Sequence, residues 1–213
     1  MVAYCVATAT LQADEPVPPA ELPSLTELAA SADLVAVAQV RDTDYRLRRE
    51  IPVSGSAYLR ILIPYKMDHA ADLIEVYEKG LRELECYFPN PTVFEEGRRY
   101  LLFLRRDPED PQRYRGLPQG CALEVLVGSD NQYVIRYPAD GMVFSDNLTG
   151  LAAPMTFSDG YALVEDEELS PETRNALLEA GQIEPHGDNG WRYTMGVDLG
   201  SLRRLIDREA LSD

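Results

Sequence analysis

Short segments of alternating apolar and polar residues recur along this chain roughly every dozen residues, with turn-forming clusters between them. Leu34 to Val40 (LVAVAQV) sets bulky residues on one parity and alanines on the other. It runs on through Arg41-Asp42-Thr43-Asp44-Tyr45 with its outer parity turned polar. Ala57 to Met67 (AYLRILIPYKM) predicts a second strand, in which Pro64 is tolerated only at an edge or a bulge. Asp72 to Gly80 reads as a third strand or the start of a helix, with its composition and the closing Gly80 fitting a strand, and Arg99 to Leu104 (RYLLFL) is the most hydrophobic of the set. Ala122 to Val127 and Gln132 to Tyr137 flank Gly128-Ser129-Asp130-Asn131, a hairpin turn.

Helical signals frame this run of strands. Ser24 as N-cap with Glu27 three residues on forms a capping box, and that helix ends near Ser31-Ala32-Asp33. Ser170-Pro171-Glu172 supplies an N-cap, a proline at the first helical position and an early acid, and Gly181 stops the helix. A last helix is predicted from Leu199 to Leu211 behind Asp198. It has Leu199, Leu202, Leu205 and Ile206 on one face and Arg203, Arg204, Asp207 and Arg208 on the other. The pattern predicts an α+β fold whose strands close into a small antiparallel barrel or sandwich. The organisation expected is a leader over 1–13, an acidic proline-rich linker over 14–23, a β domain over 24–140, and a C-terminal extension over 141–213 whose two helices pack on it.

Met1 to Ala13 carries no charge and gives way abruptly to Asp14-Glu15-Pro16-Val17-Pro18-Pro19. That predicts the tail of a secretory signal cleaved between Ala13 and Asp14, although the positively charged start of such a signal is missing. Export to the periplasm or medium is therefore expected, and no apolar run approaches the ~18–20 residues that span a bilayer. The chain has 36 acids against 20 bases, a net charge of −16 spread along its length. A surface of that sign repels phosphate backbones and anionic lipid, which argues against a nucleic-acid or membrane partner. The short arginine clusters are each answered by nearby acids.

Export changes how the cysteines are read. Of the three, Cys5 falls in the leader, so Cys86 and Cys121 form an even pair expected to be a disulfide. Nucleophilic or metal-bound thiols would need imidazole partners. Only His69 and His186 occur, both in loop-like segments. No G-x-S-x-G elbow is present, and with so many acids no carboxylate pair stands out as catalytic. Asp188-Asn189-Gly190, Ser145-Asp146-Asn147 and Glu165-Asp166-Glu167-Glu168 supply oxygens without the EF-hand spacing, and turn chemistry accounts for the first two. No catalytic residue, metal site or cofactor is assigned. Trp191, the single tryptophan, lies in the strand-like Gly190-Trp191-Arg192-Tyr193. It is expected in the core or as a lid on the barrel, with a binding platform as the alternative.

Several stretches resemble exported bacterial proteins built on the netrin/TIMP-like OB-type barrel. They are Ala32-Asp33-Leu34-Val35, Val76-Tyr77-Glu78-Lys79-Gly80, Phe94 through Leu104 (FEEGRRYLLFL) and Val197-Asp198-Leu199-Gly200-Ser201-Leu202, about half of the chain. The resemblance implies a mainly antiparallel OB-like β-barrel with flanking N- and C-terminal helices. Animal proteins of that fold class inhibit metalloproteinases through an N-terminal cysteine. Here the expected mature terminus is Asp14, so that activity is not carried over. The expectation is a non-enzymatic binding module with a protein, peptide or glycan partner in the cell envelope. The alternatives are an inhibitor or accessory factor of an exported protease, and a hydrolase whose carboxylates are unidentified.

Overall fold

Ser24 accepts the backbone N–H of Glu27 at 3.2 Å, and the Glu27 carboxylate takes the Ser24 N–H at 2.7 Å. This reciprocal cap starts α1, Leu25–Ser31. A computed structural model describes residues 21–80, 82, 85–88 and 91–206, so the Ala13–Asp14 cleavage site and most of the linker lie outside the described residues.

β1, Leu34–Arg48, is the organising strand. It pairs antiparallel with β2, Ile51–Lys66, along its length, and with β4, Arg99–Arg106, over Leu34 to Gln39. β2 pairs with β3, Leu73–Glu78, and β3 meets β5, Tyr114–Gly116, in parallel at Val76 and Tyr114. β5 returns to β4, which closes a barrel of five strands in the order β1-β2-β3-β5-β4. This is the OB-like barrel with flanking helices.

The alternation along β1 explains its dimensions. Leu34, Ala36, Ala38 and Val40 point into the barrel with Ala57, Leu59, Ile74, Val76, Leu102 and Leu104. A narrow barrel has room for alanines and little more. Val35 and Val37 point outward and are buried as well, beneath Leu25, Leu28, Leu199 and Leu202 of the flanking helices. Both faces are thus apolar for different reasons. Four register shifts in the β1–β2 ladder bend the pair, and Pro64 sits at one of them, opposite Ala36 and beyond the reach of β3.

β4 shares its second edge. Its C-terminal half pairs with β5, and its N-terminal half pairs with β6, Ala122–Val127. From β6 the sheet leaves the barrel through β7, Tyr133–Tyr137, then β12, Met195–Asp198, and β8, Ala152–Pro154. The sheet therefore continues across residue 140. α3, Leu199–Ile206, follows β12 directly, and the rest of the helix predicted to Leu211 lies outside the described residues. A second sheet, β10-β11-β9 (Ile183–His186, Gly190–Tyr193, Leu163–Glu165), packs with α2, Pro171–Glu179, on Leu126 and Val134.

A buried ionic network joins the two sheets. Arg136 on β7 is surrounded by Glu124 at 2.7 Å, Asp140 at 2.5 Å and the Tyr193 hydroxyl at 2.5 Å, and Arg98 also reaches Glu124. Arg136 and Glu124 are both nearly excluded from solvent. A charge so deeply placed is tolerable only because its partners surround it.

Candidate functional site

Beyond Val40 the barrel lets go of β1. Val40 closes its last contacts with the neighbouring segment, donating to Arg98 O and accepting from Gly97 N. β1 and β2 then continue together as an arm over residues 41–54, which β3 flanks as far as the Tyr45–Gly55–Glu78 row and which is two-stranded only from Arg46 to Ser54. The turn at its tip is made by Arg49 and Glu50, both at positive φ (52° and 67°). At Gly55 the two strands come so close that a Cβ would stand 2.2 Å from the Asp44 carbonyl oxygen, at a φ of 150°.

One face of the arm and the segment 91–96 enclose a groove of about 550 Å³. Thr43, Tyr45, Leu47 and Pro52 form one wall, and Pro91 to Glu96 form the other. The far wall is held from below. Phe88, Phe94 and Tyr100 stack at centroid distances of 5.0–5.3 Å. The Cys86–Cys121 disulfide, with a Cα–Cα distance of 5.1 Å, ties the preceding segment to the start of β6. The expected cysteine pair is therefore bonded, and it braces the groove.

The floor is polar. The Tyr45 hydroxyl donates to Glu78 Oε1 at 3.1 Å. Glu78 is 5% exposed, and burial pushes its carboxyl up to about 8, with the Glu85 charge adding to the rise and the Tyr45 hydrogen bond opposing it. Burial also raises the Tyr45 phenol. Tyr100 OH is buried without a hydrogen-bond partner. Glu85 is held by Arg115 at 3.1 Å and Arg105 at 3.6 Å. Sequence reasoning missed Glu78, although it continues the inward parity of Ile74 and Val76, and an acid on that parity was the available signal.

The arm's tip has a different character. Leu47 is 64% exposed and Ile51 56% exposed. Arg46, Arg48 and Arg49 are exposed and make no ion pair or side-chain hydrogen bond among the described residues. In a chain with 36 acids, three adjacent unpaired guanidiniums are unusual company for two exposed aliphatic residues.

Trp191 sits on β11 in the three-stranded sheet, half-buried, and lies apart from the barrel interior. Its indole N–H donates to Asp166 Oδ1 at 2.8 Å, and Arg174 pairs with the same oxygen at 2.6 Å. The Trp191 hydrogen bond and then the Arg174 contact hold the Asp166 carboxyl below the ordinary range. A second, wider groove of about 800 Å³ lies here, between Arg98 and residues 163–168. His186 Nδ1 stands 2.6 Å from Arg192, and among the described residues no three His, Cys, Asp or Glu side chains converge as metal ligands. No helix among the described residues is long and apolar enough to cross a membrane. Comparison with known protein families, curated proteins and solved structures finds no significant match.

Proposed function

We propose that this protein is an exported, non-enzymatic binding module that holds a cell-envelope partner at the arm and the groove beside it. The observation that carries this reading is the arm itself, which sets Leu47 in water at the edge of an open groove and Ile51 in water on the opposite face, beside Arg48. Single exposed aliphatic residues are common on any surface, and what supports the reading here is that Leu47 continues the apolar groove wall of Pro52, Val93 and Phe94. The disulfide supports an oxidising compartment. Glu78 is the most perturbed carboxyl on the barrel's inner face, but it lies below the groove's lining and carries no argument for hydrolysis.

The purified protein, used as bait in envelope extract, tests this. Wild type should return the same partner in repeated captures, and Leu47→Asp/Ile51→Asp should return none while folding normally. Capture indifferent to those substitutions, or turnover of a substrate panel by the pure protein, would defeat the reading. The projecting arm also suits an inhibitor of an exported protease, a reading supported if the captured partner is a protease whose activity falls on binding.

A further inference from the structure

We propose that the free edge of β1 between Arg41 and Arg48 receives an extended polypeptide segment of alternating polar and apolar residues, acidic beside Arg46 and Arg48, as an added β-strand. This rests on the binding-module reading and names the partner's chemistry.

Three observations converge on that edge. First, β4 covers β1 only from Leu34 to Gln39, the Val40 contacts finish the ladder, and no strand among the described residues follows. The uncovered stretch is about 26 Å long at ~3.3 Å per residue, enough for a short added strand. Second, the arm's other edge is poorly suited. Pro52 has no N–H to donate, whereas β1 contains no proline.

Third, the two faces of β1 differ in kind. Thr43, Tyr45 and Leu47 face the groove, with Val93 and Phe94 across it. Asp42, Asp44, Arg46 and Arg48 alternate with them and point away from it, exposed, with the acids toward the barrel and the arginines toward the tip. An added strand shares the pleat of its neighbour, so its apolar residues enter the groove, acids are favoured beside Arg46 and Arg48, and uncharged polar residues beside Asp42 and Asp44. Glu95 and Glu96 line the groove face and disfavour acids there, which reinforces the alternation. Open edges are normally blunted by charge, and these guanidiniums do so while leaving a complementary strand welcome.

The probe is the peptide Ac-Glu-Val-Glu-Val-Ser-Thr-Ser-NH2, whose two acids meet Arg48 and Arg46 when it pairs antiparallel, titrated calorimetrically against the full chain, with a lysine-for-glutamate counterpart. The glutamate peptide should bind, and the lysine peptide should bind at least about tenfold more weakly. Arg46→Glu/Arg48→Glu should invert that preference, and added salt should weaken both. Amide hydrogens within residues 41–48 should exchange more slowly in the complex. Of two peptides N-methylated on opposite alternate amides, one should lose binding. The proposal is overturned if wild type ignores the glutamate peptide, if binding leaves those amides unprotected, or if both N-methylated peptides bind equally. Arm-dependent self-association without peptide binding would also overturn it, by making a second copy the occupant. Should the extract capture still depend on Leu47 and Ile51 in any of these cases, the binding module stands and only strand addition falls.

Discussion

Tyr45, on the arm, donates its phenolic hydrogen to Glu78 Oε1 at 3.1 Å, so the element that reaches furthest from the barrel is hydrogen-bonded to an acid sealed inside it. The two residues are 33 positions apart in sequence. The register of three successive strands brings them together: Gly55 on β2 pairs with Tyr45 on one side and Glu78 on the other, and having no side chain it leaves the way between them open.

The burial of Glu78 sets a pH dependence, which the Tyr45 contact moderates. Unfolded Glu78 loses its proton near 4.5, whereas the folded carboxyl holds it to about 8. Between those values the folded state binds the additional proton, so stability falls as pH rises across that window. Glu78→Gln, which keeps an acceptor for Tyr45, should flatten the slope and raise the urea midpoint at pH 8. An unchanged slope would show that Glu78 is not the group responsible.

Removing the disulfide with Cys86→Ala/Cys121→Ala should cost about 4 kcal/mol, as expected for a loop closed across a separation of 35 residues. Denaturant unfolding measures the loss. Peptide binding should weaken in parallel, since the bond braces the wall that carries Phe94.

The buried network makes a two-part prediction. Among the described residues, Arg136→Met alone leaves Glu124 with Arg98 as its one guanidinium partner and Asp140 with none, and should destabilise by about 1–3 kcal/mol. Glu124→Leu/Arg136→Met removes both buried charges and should recover most of that loss. A double variant no better than the single would mean that the network's geometry, beyond its charge balance, holds the sheets together.

Leu47→Asp/Ile51→Asp should change stability by no more than about 0.5 kcal/mol, because both side chains are already largely in water. Thermal unfolding checks this, and an unperturbed midpoint is what makes loss of capture meaningful.

Trp191 reports on Asp166. Because hydrogen bonds from Trp191 and Arg174 hold that carboxyl below its ordinary value of 3.8, the contact persists through mild acid. It is lost as pH falls through the lowered value. Tryptophan emission should therefore stay constant until the pH drops below the ordinary aspartate range, then shift. Asp166→Asn should show no such transition.

Much of this was legible in order along the chain. Local chemistry determines where Ser24 and Ser170 cap their helices, and period-two alternation marks the strands from Leu34 to Tyr137. The exclusion of Cys5 leaves one cysteine pair, and that pair is bonded. Each of these depends on a few neighbouring residues. The arm was not legible, because its tip is Arg49-Glu50 in place of an Asn-Gly turn, so nothing local showed that β1 and β2 run on together. The inward turn of Glu78, the sharing of one β4 edge by β5 and β6, and the meeting of Arg136 with Tyr193 depend on which strands become neighbours. That is decided only by long-range packing, through closure of the barrel for β4 and docking of the second sheet for Arg136 and Tyr193, since packing determines which face of each strand loses its water.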